Sequence, residues 1–250
     1  MELHAAKLEL FEHFADVGRA VGSGPRLLLL DLLAQGEKTV EMLARQAGLT
    51  VGNTSAHLKG LRHVSLVSLR KVSAHVYYRL ASQRVHEFVR SLQSLTVEQL
   101  AGAREIIDDH FHDPDVVEPV NSGHLLDRLR AREVIVLDVR PPDEYAAAHI
   151  PGSISMPFGQ IEQRLDELPR GAEVVVYCRG PYCIYAVRAV EMLKKLGFRA
   201  RRLEDGIPDW TLRGLPVAVG APVGGTATGT AGAPLGGTAT GTAGTTTNSN

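Results

Sequence analysis

Apolar positions along this chain change rhythm once, near its middle. Residues 1–112 are mostly helical by pattern. In Thr39-Val40-Glu41-Met42-Leu43-Ala44-Arg45-Gln46-Ala47, the side chains of Val40, Leu43, Ala44 and Ala47 share one helical face. Gly48 stops that helix, and Thr50 is placed to cap a second one, Val51 to about His63, in which Leu58 and Leu61 point inward. Two helices joined by a short glycine-containing turn predict a helix-turn-helix. Leu66 to Lys71 and Val76 to Leu80 are then two short β-rich runs around the polar turn Val72-Ser73-Ala74-His75, which predicts a hairpin wing. Flanking helices are expected over about 2–20 and 83–112, long enough to pair with a second subunit. From about 120 to 219, apolar runs alternate with amphipathic segments, the signature of a parallel α/β sheet. The strand candidates there are Val134 to Leu137, Ile154 to Met156, Val174 to Tyr177 and Ala200 to Leu203.

Between the two rhythms, Pro114 and Pro119 bracket Asp115-Val116-Val117-Glu118, which argues against one continuous helix. The predicted organisation is a helix-rich winged helix-turn-helix over 1–112, a linker over 113–119, an α/β domain with a parallel sheet over 120–219, and a tail over 220–250. In that tail, APVGGTATGTAG (221–232) recurs as APLGGTATGTAG (233–244). So polar a repeat has almost nothing to bury and is expected to be a disordered tail.

The net charge of −1 over 250 residues decides nothing, but its distribution does. Residues 57–90 hold seven Lys/Arg against the single acid Glu87, whereas 98–118 hold seven acids against Arg104. A basic module beside an acidic segment points to nucleic-acid contact by the first. On the second helix Asn53, Thr54, Ser55 and His57 are expected to face base edges, with Lys59 and Arg62 on phosphates. Arg70, Lys71 and His75 of the wing would lie over the backbone of double-stranded DNA. No stretch reaches the apolar length of a membrane span and no signal-peptide pattern opens the chain, so no membrane partner is expected and the location reads as cytoplasmic.

The segments Val40 to Leu49, Asn53 to Arg62 and Val76 to Leu80 resemble the ArsR/SmtB family of winged-helix repressors, over roughly residues 5–100. The resemblance implies a homodimer that reads a palindromic operator and is released by an inducer. Ser65 stands where the family usually has glycine, and the wing tip lacks glycine as well. Family members often sense metals, but Val40 to Leu49 contains no cysteine pair. Asp108-Asp109-His110 matches the start of a second known site. Pro114 interrupts the helix needed for its other half, and His124 falls in the other domain. No metal and no cofactor are expected.

Chemistry is expected at Cys178-Arg179-Gly180-Pro181-Tyr182-Cys183, which holds both cysteines of the chain. A cysteine where a buried strand meets a helix N-terminus sits among unpaired N–H groups and the positive end of the helix dipole, and both favour the thiolate. Around it, Asp138-Val139-Arg140, Glu144, His149 to Gly152 and Asp205-Gly206 with Trp210 make residues 120–218 resemble the rhodanese (sulfurtransferase) domain. The resemblance implies that the Cys178 thiolate takes the outer sulfur of a donor such as thiosulfate or a persulfide. Backbone N–H groups from Arg179 to about Ile184 would hold the resulting anion, and Arg179 would add charge for an anionic donor. Asp138, Arg140, Glu144 and His149 are expected to form a buried polar network bracing the loop, with Trp210 in the core. Phosphatases and arsenate reductases of this fold need Cys-x₅-Arg, and the position in question holds Ile184. Cys183, where Arg, Ser or Thr is frequent, is placed to attack a Cys178 persulfide and leave a disulfide or polysulfide bridge. Two such thiols also leave arsenite open as an inducer.

The halves together suggest a DNA-binding transcriptional regulator, a repressor, that senses or transfers reactive sulfur at Cys178. The alternative is a sulfurtransferase whose winged-helix half serves dimerisation or autoregulation. A third is a binding module with little turnover.

Overall fold

A computed structural model describes residues 2–111 and 122–221. The linker expected over 113–119 lies outside the described residues, as does the repeat tail beyond Ala221. The first half comprises α1 (Glu2–Val21), α2 (Gly24–Ala34), β1 (Lys38–Thr39), α3 (Val40–Ala47), α4 (Val51–His63), β2 (Val67–Val72), β3 (His75–Leu80), α5 (Gln83–Gln99) and α6 (Ala101–His110). Its helix-turn-helix is built by local chemistry. The Thr39 hydroxyl accepts from the Met42 N–H at the start of α3, and Gly48, at φ 67°, ends it in the left-handed conformation. Thr50 then accepts from the Asn53 N–H and opens α4. Leu29 and Leu32 of α2, Leu43 of α3 and Leu58 and Leu61 of α4 form the centre of one core, completed by Val67 and Val85.

Three features differ from the sequence pattern. The wing strands reach Val72 and His75, leaving only Ser73 and Ala74 as the turn, because Ser73 takes up a left-handed φ of 54°. Ser65 does the same at φ 58° before the strand, so both positions meet without glycine a conformation that glycine adopts most easily. β1, a two-residue strand that no apolar run announces, pairs antiparallel with β3 and makes the wing three-stranded. The helix expected over 83–112 is interrupted at Leu100, whose φ/ψ of −109/111° is extended, and Gly102 just beyond is a weak helix former.

The second half runs α7 (Ser122–Arg130), β4 (Val134–Asp138), α8 (Pro142–Ala147), β5 (Ile154–Ser155), two 3₁₀ turns, β6 (Glu173–Tyr177), α9 (Ile184–Lys195), β7 (Arg199–Arg202) and α10 (Ile207–Leu212). Its sheet is parallel throughout, in the order β5-β4-β6-β7. Both faces are covered. Val174 and Val176 pack with Ala186, Ala189 and Leu193 on one side, and Val175 and Tyr177 with Leu125 and Trp210 on the other. That double burial is why β6 reads as an uninterrupted apolar run. The loop after β6 emerges at the carboxyl edge of this sheet, where parallel α/β folds place their chemistry.

Candidate functional site

Cys178 directly follows β6 and Cys183 caps α9, and the structure joins them as a disulfide within the six-residue loop. Both are buried, at 3 % and 9 % exposure. Gly180, at φ 149°, allows the turn, and its carbonyl accepts from the Cys183 N–H at 3.2 Å. One N–H of the expected anion cradle is therefore already engaged within the loop. Arg202 donates to the Pro181 carbonyl at 3.0 Å. Gly206 packs so closely that a Cβ there would run into the Arg179 carbonyl.

The residues expected to brace the loop divide into two groups. Asp138, Arg140 and Glu144 are fully buried. Arg140 holds Asp138 through Nη2 at 2.7 Å and Nε at 3.0 Å, and donates to the Ala148 carbonyl at 2.7 Å. Glu144 accepts from Arg179 at 2.7–3.1 Å. Burial works to raise the Glu144 carboxyl, but Arg179, Lys38 and Arg140 outweigh it and hold the group below its ordinary value. His149 stands apart. It stacks on Tyr145 at 3.7 Å, meets the Tyr145 carbonyl through Nδ1 at 2.8 Å, and steadies the 145–153 segment rather than the cysteine loop. Arg179 also departs from expectation: its guanidinium is committed to Glu144 and is not offered to an incoming anion.

Several partners of this loop and of the residues around it come from the winged-helix half and left no sign in the sequence. Gln35, at the end of α2, donates through Nε2 to the Arg179 carbonyl at 3.0 Å and accepts from Arg140 through Oε1 at 3.3 Å. Lys38 of β1, 1 % exposed, reaches Glu144 at 3.1 Å. His86 and Arg90 of α5 meet Asp209 at 3.3 Å and 2.8 Å, and Phe111 sets its ring edge-on to Tyr182, 6.0 Å between centroids. Burial alone would raise the Asp209 carboxyl, yet His86 and Arg90 bring it below its ordinary value. Between the halves lies a cleft of about 300 Å³ lined by Asp31 and Leu32 of α2, His86 and Arg90 of α5, and Tyr182 and Cys183 of the loop. The cleft thus opens on Cys183, with Cys178 behind it.

The surface expected to meet DNA is arranged along α4 and the wing. Asn53, Lys59 and Arg62 are exposed, and Ser55 and His57 half-buried. Thr54 departs from the expectation: it is fully buried and its hydroxyl donates to the Thr50 carbonyl at 2.9 Å, so it fastens the helix start instead of facing a base. Lys71 is exposed at the wing tip, while Arg70 pairs with Glu37 and lies over Tyr77. Among the described residues, no three His, Cys, Asp or Glu side chains gather into a metal-binding group, and no helix is long and apolar enough to cross a membrane.

Comparison with known proteins finds one family match in each half of the chain. Residues 24–68 match the family of bacterial regulatory proteins named arsR, and residues 122–213 match the rhodanese-like domain. The chain is 40 % identical over 218 residues to the HTH-type transcriptional regulator Rv0324 of Mycobacterium tuberculosis, covering 87 % of this chain and 96 % of that protein. It is 36 % identical over 110 residues to a sulfurtransferase of Allochromatium vinosum, covering 44 % of this chain and all of that one. A homodimeric winged helix-turn-helix DNA-binding domain from Mycobacterium bovis is 38 % identical, covering 38 % of this chain and 89 % of that one, with a TM-score of 0.37. The helix-turn-helix, the parallel sheet with its cysteine loop and the near full-length likeness together place the chain in the ArsR family of DNA-binding transcriptional regulators, extended by a rhodanese-like domain.

Proposed function

We propose that this regulator is a cytoplasmic, homodimeric repressor whose rhodanese domain forms a persulfide on Cys178 and releases the operator in response to reactive sulfur. Supporting a dimer, α1 exposes Leu3, Leu8, Phe11 and Phe14, and α5 exposes Phe88 and Leu95. Asn53, Ser55, His57, Lys59 and Arg62 of α4, with Lys71 of the wing, meet the DNA. The observation that carries the sulfur reading is the pairing of Cys178 and Cys183 across one tight loop.

In the reduced protein, the Cys178 thiolate attacks the outer sulfur of a persulfide or of thiosulfate. A Cys178–S–S⁻ group forms, and a thiol or sulfite leaves with the displaced electron pair. The Cys183 thiol then attacks the Cys178 sulfur, the new disulfide forms, and the terminal sulfur departs as HS⁻ with the Cys183 proton. Arg179 holds the loop through Glu144 rather than drawing the donor in.

The deciding experiment measures affinity of the reduced protein for its own upstream DNA with and without polysulfide, beside Cys178→Ser. Wild type is expected to lose about 10-fold or more, within the range of ordinary coupling energies, and the variant nothing. Unchanged affinity with rapid thiosulfate–cyanide turnover would instead establish a sulfurtransferase whose winged-helix half dimerises or autoregulates it. The likeness of the rhodanese half to a sulfurtransferase favours that as the second reading. Neither response would leave a docking module.

A further inference from the structure

Arg179, the residue after Cys178, is held at both ends by groups that lead back to the winged-helix half. Its carbonyl accepts from Gln35, and its guanidinium lies on Glu144, whose other cation is Lys38. Gln35 is 4 % exposed and bonded on both sides of its amide, to Arg179 and to Arg140, so it has one orientation that satisfies both. Lys38, 1 % exposed, sets its ammonium against the rhodanese domain, and a buried ammonium is costly unless paired, here with Glu144 and, at 3.9 Å, Asp143. These two residues are also parts of the DNA-reading machinery's frame. Gln35 is the C-cap of α2, Lys38 pairs with Tyr78 in the wing sheet, and the next residue, Thr39, caps the first helix of the helix-turn-helix.

We propose that Gln35 and Lys38 are positioning residues of the Cys178 loop, so that the DNA-binding half completes the sulfur site and operator occupancy changes the reactivity of Cys178. The proposal rests on the reading above that α4 and the wing bind the operator. A movement of α2 or of the wing strand on DNA displaces the two groups that fix Arg179, and with it the backbone beside the reactive sulfur. Coupling of this kind is reciprocal: if sulfur at Cys178 weakens DNA binding, bound DNA must disfavour sulfur at Cys178 by the same factor.

The test uses the full-length reduced protein and follows alkylation of Cys178 by iodoacetamide, resolved from Cys183 by peptide mass spectrometry. Alkylation needs no sulfur transfer, so it is independent of the persulfide step. Saturating operator DNA is expected to change the Cys178 rate by about 5-fold or more in wild type. In Gln35→Ala, and separately in Lys38→Met, the rates with and without DNA should converge. Operator is titrated to saturation for each variant, so the rate with DNA is read on bound protein even where the affinity has changed. A residue with a merely structural role would alter the rate equally in both states and leave the DNA effect intact. Wild-type rates that are the same with and without bound operator overturn the proposal without needing either variant. A DNA effect that persists undiminished in both variants overturns the assignment to Gln35 and Lys38. Failure to bind the operator at all would overturn the DNA-binding reading instead, and failure to take up sulfur is read separately as the mass of a Cys178 adduct.

Discussion

Asp31 sits in the cleft between the halves, and burial pushes its carboxyl from the usual 3.8 up to about 6 against the pull of Arg179, His86 and Arg90. A carboxyl whose folded value stands above its unfolded one withdraws stability as pH rises. Below about pH 4 both states are protonated and nothing is lost; above about 6 the folded chain carries a charge it disfavours. Asp31→Asn is therefore expected to raise the melting temperature at pH 8, by on the order of 1–3 kcal/mol in stability, and to leave it unchanged near pH 4. Equal melting temperatures at pH 8 would show that the Asp31 carboxylate is not disfavoured in the folded chain. At this scale the sequence is informative about residue type and silent about partners. The position of Cys178 is legible because strand and helix bracket it. That Arg179 is spent on Glu144 is not, since the arginine's partner is 35 residues upstream on another element. Thr54 misleads for the opposite reason: a polar residue early in a recognition helix reads as a base contact, whereas its hydroxyl folds back on its own backbone.

Elements defined by long apolar runs or by capping residues were readable in advance. β6 is a buried apolar run, and the helix pair α3–α4 opens on Thr39 and Thr50, with Gly48 ending α3. β1 was not, because a Lys-Thr pair carries no periodicity and becomes a strand only through Tyr77 and Tyr78 on its neighbour. The N-terminus of α10 shows how tightly one element is fitted to the loop. Gly206 caps it with no room for a side chain, since the obstructing atoms are backbone of Arg179 and Gly180. Gly206→Ala must shift either the cap or the loop, at a cost of about 1–3 kcal/mol. Urea unfolding followed by fluorescence of Trp210, the one tryptophan and fully buried in this half, measures it directly. An unchanged midpoint would show that the loop yields freely there.

Across the whole molecule, the domain pattern was plain from the change of rhythm, but the way the halves face each other was not. Their polar contacts run through Gln35, Lys38, His86 and Arg90, four residues on which the apolar pattern is silent, paired with Arg179, Arg140, Glu144 and Asp209. Contacts of this kind depend on which surfaces meet after each core has formed, and no local signal encodes that. Lys38 turns the arrangement into a built-in gauge. Its amine is shielded while the halves are together, whereas Lys59 and Lys71 stand in solvent, so the three form an internal comparison within one chain. Trace acetylation is expected to mark Lys59 and Lys71 at least about 10-fold faster than Lys38, a difference that corresponds to about 1.4 kcal/mol of opening free energy. Lys38 labelled as quickly as Lys71 would place the halves apart in solution. Any protection found reads out, in a single spectrum, the fraction of molecules in which the two halves are closed on each other.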